Sequence, residues 1–407
     1  MAEQSHGPQA RRPLLGLAVA FLFTIGLGGC QLVPAAAPPT SAPPPAEQET
    51  EAQPQPSPRP YEPVQERALP ADAERHRVAV LVPLSGPNAG VGQSIANAAN
   101  LALLDTGGER IRITVYDTAT GAAAAASRAV EEGNRLFLGP LLAEDVRAVA
   151  PVARRAGIPL IAFSNDAGVA GQGVYLLGFT PVQSVSRVVA YARGAGLERF
   201  AGMVPDGVYG RRASEALVQA TRRSQARLVG IQTFDRGAAG LRSAIAGLNT
   251  MGGYDAVLVG DSGRIGAAAA PILRSGAGAS ARILGTELWA AQGDLGRTPA
   301  LRGAWYASPS DALFEQMRGR YAARYGSNPY RLASLGYDAV LLTLRVARDW
   351  QPGRSFPEAA LRDRAGFPGL DGAFRFGPDG VAERALEVRE VTAAGSIVVS
   401  PAPRTFD

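Results

Sequence analysis

From residue 77 the chain alternates between short apolar runs and longer, Ala-rich stretches. The runs are Val78–Val82, Ile111–Tyr116, Arg135–Leu138, Ile158–Phe163, Phe200–Val204, Leu228–Phe234, Ala256–Val259 and Ile283–Leu284. Helix-length segments lie between them, at Gly92–Leu104, Ala122–Glu132, Ala143–Arg155, Ser184–Ala195, Arg211–Ser224 and Ala238–Leu248. A repeat of roughly 25–35 residues is what a strand–helix–strand unit requires. The runs are apolar at successive positions rather than at alternate ones, as parallel strands covered on both faces should be. The pattern predicts an α/β fold with two doubly wound, mostly parallel sheets. Two further helices are expected at Ala312–Tyr325 and Arg331–Trp350. A β-hairpin is expected where Phe374–Gly380 is followed by Ala385–Val391.

The first 76 residues follow other rules. Arg11-Arg12 precede the apolar run Leu14–Phe23, which is too short for a membrane span of about 20 residues and reads as a secretory signal. The run closes on Leu27-Gly28-Gly29-Cys30, which resembles the bacterial lipobox: small residues before the cut, and a thiol to accept diacylglycerol. The expectation is a lipoprotein signal peptide over 1–29 and an acylated Cys30 that holds the chain to a membrane. Each buried acyl CH₂ contributes about 0.8 kcal/mol, so more than one chain gives stable anchoring. Gln31 stands where Asp would signal inner-membrane retention in enterobacteria, which favours the outer membrane.

Residues 31–70 hold 12 Pro among Ala, Gln, Glu, Ser and Thr, with no apolar period. Such a segment cannot bury enough surface to offset chain entropy and is expected to be a disordered linker over 30–76. Fully extended, it would reach roughly 120 Å at about 3.1 Å per residue.

Composition removes several chemistries. The chain has one Cys and two His, His6 and His76, and all 41 basic residues are Arg. An intrachain disulfide is excluded, no Cys or His pairs can hold zinc, and no phosphate loop can end in Lys. No metal or cofactor is expected. The linker carries seven acids against three Arg, while the chain as a whole is +5. No block of consecutive basic residues points to nucleic acid. Gly260-Asp261-Ser262-Gly263 has the look of a serine-nucleophile loop, but no base is at hand to activate it. It reads instead as a strand-to-helix loop with Asp261 or Ser262 as N-cap. With no catalytic constellation to assemble, the chain is not expected to be an enzyme.

A resemblance emerges from an ordered set of segments. Val78–Val82 runs into Pro83-Leu84-Ser85-Gly86-Pro87-Asn88, and Gly92-Gln93 then open a helix containing Asn97-Ala98. Leu138-Gly139-Pro140, Ile158–Ser164, Asp206-Gly207-Val208-Tyr209-Gly210 and the hairpin from Gly372 to Glu390 follow. Together they resemble type I periplasmic binding proteins of the leucine-binding family, over residues 77–395. The resemblance implies a periplasmic-binding-protein-like domain over 77–400. Its first lobe would take 77–179 and 306–352, and its second 180–305 and 353–400, with three crossings. A lipoprotein with a Pro-rich tether is, within that family, most similar to the penicillin-binding protein activators, outer-membrane lipoproteins that stimulate peptidoglycan synthases. Those carry a helical-repeat domain before the binding-protein domain; here the tether runs straight into the α/β body.

Ligands of this family sit in the cleft at the C-terminal strand ends. In amino-acid-binding relatives, hydroxyls and amides after the third and fourth strands hold a carboxylate, a second-lobe acid holds the ammonium, and a Tyr packs on the ligand. By that resemblance the candidates are Ser85 and Asn88 after the first strand, Ser164 and Asn165 after the fourth, Tyr209, and Glu287. The third-strand loop reads Gly139-Pro140-Leu141-Leu142 and lacks the hydroxyl. Two functions are expected from these readings. The first is an activator of a penicillin-binding protein. The second is a solute-binding lipoprotein delivering an amino acid or related small molecule to an ABC transporter permease.

Overall fold

The computed structural model describes residues 74–403 and Phe406. The expected signal peptide, Cys30 and the linker up to residue 73 lie outside the described residues. The linker's expected last residue already belongs to the fold: His76 opens the first strand, stacks on Trp350 with ring centroids 3.9 Å apart, and reaches the Trp350 carbonyl at 2.9 Å through Nε2.

The first lobe is built on β1 (His76–Val82), β2 (Ile111–Asp117), β3 (Leu136–Leu138), β4 (Leu160–Ala162) and β5 (Val174–Leu176), all parallel, in the order β2-β1-β3-β4-β5. Side chains alternate across it as the pleat demands. Val78, Val80, Val82, Leu136, Leu138 and Ile161 join one core with α1 (Ala89–Asp105). Ala79, Leu81, Phe137, Leu160 and Ala162 join another with α2 (Ala122–Glu131) and α3 (Ala143–Arg155). Both faces are covered, which is why the strands read as unbroken apolar runs.

The second lobe begins with α4 (Pro181–Gly194) and continues through β6 (Arg199–Pro205), α5 (Val208–Arg223), β7 (Arg227–Phe234), α6 (Ala238–Thr250), β8 (Ala256–Val259), α7 (Gly263–Arg274), β9 (Arg282–Gly285) and β10 (Trp305–Ser308). The same alternation holds: Ala201, Met203, Val257, Val259 and Ile283 face α6 and α7, and Phe200, Ala256, Leu258 and Leu284 face α4 and α5. Helices α8 (Ala312–Tyr325) and α9 (Ala333–Val346) return to the first lobe, where Phe314, Met317, Leu335 and Val340 enter its core.

Two lobe boundaries and one strand pairing differ from expectation. The second crossing is expected at residue 305/306, but β10 is paired in the second sheet, with Trp305 opposite Leu284, so the chain leaves after Ser308. Residues from 353 are expected in the second lobe. Instead Phe356, Leu361, Phe367, Leu370, Phe374 and Phe376 all pack into the first core, where large apolar side chains find a face to cover, and the third crossing follows Arg384. The hairpin pairs β11 (Phe374–Phe376) with β12 (Ala382–Arg384). Asp379 Oδ1 accepts the Val381 N–H at 3.0 Å and Gly380 takes φ +79°, which reverses the chain within a few residues. The expected partner strand instead becomes β13 (Glu387–Thr392), antiparallel to β10 and to β14 (Gly395–Ser400). The second sheet is therefore seven-stranded, β14-β13-β10-β9-β8-β6-β7.

Candidate ligand site in the inter-lobe cleft

The C-terminal strand ends of the two sheets line a cavity of about 410 Å³. Its first-lobe wall is mostly apolar, with Asn88, Asn165 and Arg331 as its polar members. Gly139, after β3, has φ +101°, and a Cβ there would lie 2.1 Å from the Leu81 carbonyl oxygen, so the chain turns sharply against β1. That turn delivers Leu141 and Leu142 to the cavity, with Leu142 at the N-cap of α3 in place of a polar cap. Phe163, from the end of β4, and Phe179, from the first crossing, extend the wall.

The second-lobe wall is a short 3₁₀ helix, Glu287–Ala291, directly after β9. Trp289 anchors it: the ring is fully buried and its Nε1 donates to the Asp261 carbonyl at 3.0 Å. Gly285 makes room, since a Cβ there would stand 2.2 Å from the indole. With Trp289 fixed beneath, Glu287 points to the cavity at 9% exposure. Its Oε1 accepts the Tyr209 hydroxyl at 2.9 Å, and its Oε2 accepts Ser184 Oγ, from α4. Thr286 Oγ1 lies 3.0 Å from the same Tyr209 oxygen. Burial pushes the Glu287 carboxyl above its ordinary range, with the Ser184 and Tyr209 hydroxyls partly offsetting it. The Tyr209 phenol is pushed well up, by burial and then by the charge of Glu287.

The candidates from sequence separate into three groups. Asn88, Asn165 and Glu287 line the cavity together. Tyr209 holds Glu287 rather than lying along the cavity wall. Ser85 and Ser164 do not reach it: Ser85 is exposed and donates to Asp117 Oδ2 at 2.9 Å, and Ser164 is buried, its Oγ accepting the Asp166 N–H at 3.2 Å. Both hydroxyls are used to set the loops in which they sit. Ser184 was missed because a Ser in the first turn of a helix looks like ordinary cap chemistry. Phe163 and Phe179 were missed because they continue apolar runs that read as core. Ser262 does stand at the N-cap of α7 without a side-chain cap bond; Asp261 accepts the Ser262 N–H at 2.6 Å and Arg236 Nε at 2.8 Å.

Beside the cavity, which Arg331 lines, the crossings are tied by a set of charged groups that are wholly buried at Arg384, Asp338 and Asp371. Arg384 is sandwiched near Phe179, with its guanidinium carbon 4.6 Å from the ring centroid, and Nη2 donates to the Leu177 carbonyl at 2.7 Å. Its Nη1 lies 4.0 Å from Asp338 Oδ2, and Asp338 Oδ1 accepts the Leu370 N–H at 2.7 Å. Arg331 reaches Asp371 at 2.5 Å, and Asp311 on the second crossing meets Arg389 of β13 at 2.7 Å.

Two α/β lobes joined by three crossings around a ligand-sized cavity define a binding protein of the two-lobed class. A family model described as Periplasmic binding protein matches residues 76–396, and the chain belongs to that family, with the type I, leucine-binding-protein-like fold. Among solved structures it is similar to a protein assigned to a branched-chain amino acid ABC transporter from Rhodospirillum rubrum, at 20% identity and TM-score 0.69, covering 80% of this chain and 100% of that one. It is also similar to full-length LpoA from Haemophilus influenzae, at 18% identity and TM-score 0.63, covering 80% of this chain and 59% of that one. A curated relative, the uncharacterized protein RP748 of Rickettsia prowazekii (strain Madrid E), is 26% identical over 142 residues. That match takes in 34% of this chain, and the chain covers 38% of the relative's length.

Proposed function

We propose that this chain is a non-catalytic, lipid-anchored receptor of the bacterial envelope whose cleft takes one small, mainly apolar molecule oriented by Glu287. The observation that carries this is the cavity of about 410 Å³, lined mostly by apolar side chains, with the buried carboxyl of Glu287 on one wall and Asn88, Asn165 and Arg331 on the other. Ligand pockets are commonly apolar with a few convergent polar groups. Leu141 and Leu142 stand where amino-acid-binding relatives place a hydroxyl, so a ligand carboxylate would fall to Asn88, Asn165 or Arg331 instead. The cavity puts the receptor reading ahead of the activator reading, which the sequence favoured. A thermal-shift screen of the mature protein against amino acids, aromatic acids and cell-wall fragments tests it. A ligand at 100 times its Kd adds about 2.7 kcal/mol of stability, and a cleft silent to every compound at millimolar concentration would refute the reading.

A second reading, activation of a penicillin-binding protein, is favoured by the likeness to LpoA and by the incomplete carboxylate clamp. Its test is stimulation of a purified peptidoglycan synthase by this protein. Acylation of Cys30, with an outer-membrane address, belongs to both readings. Mass spectrometry of the mature N-terminus checks it, and the Cys30→Ser chain should leave the membrane fraction.

A further inference from the structure

Among the described residues, the ion pair of Asp166 and Arg212 spans the two lobes outside the crossings. Asp166 follows β4 in the first lobe, and Arg212 lies in the second turn of α5 in the second. Arg212 Nε stands 3.2 Å from Asp166 Oδ1. The carboxylate is prepared by its own lobe: it is 4% exposed, Oδ1 accepts the Gly168 N–H at 3.0 Å, and Oδ2 accepts Arg147 Nη2 of α3 at 2.6 Å. Arg212 is the partner that the second lobe supplies. It also has a seat. A Cβ on Gly168 would lie 2.4 Å from Arg212 Nη2, so the guanidinium rests over the one residue type that leaves it room.

Both partners sit at the C-terminal ends of their sheets, on the faces that part when a two-lobed protein opens about its crossings. The cluster around Arg384 and Asp311 ties the crossings themselves and can persist in either state. The Asp166–Arg212 pair cannot.

We propose that Asp166 and Arg212 form a latch that holds the lobes closed over the cavity before any ligand arrives. Asp166 is equipped for this across the neutral range: burial would raise its carboxyl, but the Gly168 N–H, Arg212 and Arg147 together hold it below the ordinary carboxylate range. A pair anchored on a buried carboxylate is also less screened by salt than one in open solvent.

The inference takes its purpose from the cleft reading, yet its test needs no ligand. Spin labels on Glu131→Cys of α2 and Ser243→Cys of α6, in the full chain carrying Cys30→Ser, report lobe separation by pulsed dipolar spectroscopy. Wild type should give one short distance. Arg212→Gln should move the distribution to longer distances. Gly168→Ala should lengthen it less, with every charge retained, because the new methyl displaces the guanidinium, whose flexible end can shift around it. Arg147→Gln, which removes only the same-lobe partner, should leave the short distance dominant. Circular dichroism confirms that each variant is folded. Wild-type distributions for both Arg212→Gln and Gly168→Ala would overturn the latch, as would an opening by Arg147→Gln equal to that by Arg212→Gln. A confirmed latch with a cavity silent to all ligands would instead remove the receptor reading alone.

Discussion

Asp338 and Glu287 are both carboxyls withdrawn from water, and the protein compensates them differently. Asp338, among the crossings, is wholly buried, accepts the N–H of Leu370 and lies 4.0 Å from the guanidinium of Arg384. Burial and the neighbouring Asp371 push it up, and Arg384 and Arg331 pull it back. Glu287, at the cleft, is answered by two hydroxyls and its own backbone N–H, and faces a cavity. A carboxyl matched by fixed cations is committed to the fold. One held by neutral donors keeps a place for something else to bind.

The contrast can be broken most strongly at the crossings. Asp338→Ala leaves the buried Leu370 N–H without its acceptor and Arg384 with Asp371 as its remaining carboxylate neighbour, and urea denaturation should show a loss of about 3–5 kcal/mol. Trp289→Ala ought to cost about as much, roughly 3–5 kcal/mol by the same measurement, because it empties the core that supports the Glu287 helix. Unlike Asp338→Ala, it should also weaken binding of any ligand found for the cleft. Tyr209→Phe removes one hydroxyl from Glu287 and should cost about 1 kcal/mol. Glu287→Gln should change stability by less still while lowering ligand affinity at least about tenfold, the value of 1.4 kcal/mol in one contact. A Glu287→Gln cost as large as that of Asp338→Ala would erase the distinction.

The smallest effect is the most diagnostic. Because the folded-state pKa of Glu287 lies above its ordinary 4.5, the folded state binds the proton more tightly than the unfolded state. Its contribution is most favourable below the unfolded value and fades as pH rises through the raised folded one. Glu287→Gln lacks that slope. Denaturation between about pH 4 and pH 8 should therefore show the variant gaining on wild type as pH rises; a difference that stays flat or moves the other way contradicts the assignment.

The two-sheet architecture was legible because parallel strands buried on both faces leave unbroken apolar runs, as in Val78–Val82 and Ala256–Val259. Strand β5 was not, since three residues between glycines carry no usable period. The segment from Phe356 to Phe376 was misplaced because its aromatic residues say that it is buried, not against which lobe. At the site, Glu287 could be found by its place after a strand. The apolar wall could not, because Leu141, Phe163 and Phe179 look like core until the second lobe is set opposite them. The one available signal was Leu142, an apolar residue at a helix start where a polar cap is usual.

The interleaving of the chain also governs the order in which the molecule can be completed. The first core draws on residues from Val78 to Ala382, and the second sheet waits for β13 to cover β10. The α1 face of the first sheet cannot close until nearly the whole polypeptide has emerged, while its α2–α3 face, built from residues between Ala79 and Leu176, can pack much earlier. A stop codon that removed only β13 and β14 would spare the first core yet strip β10 of its neighbour, leaving an unpaired strand edge ready to join another molecule.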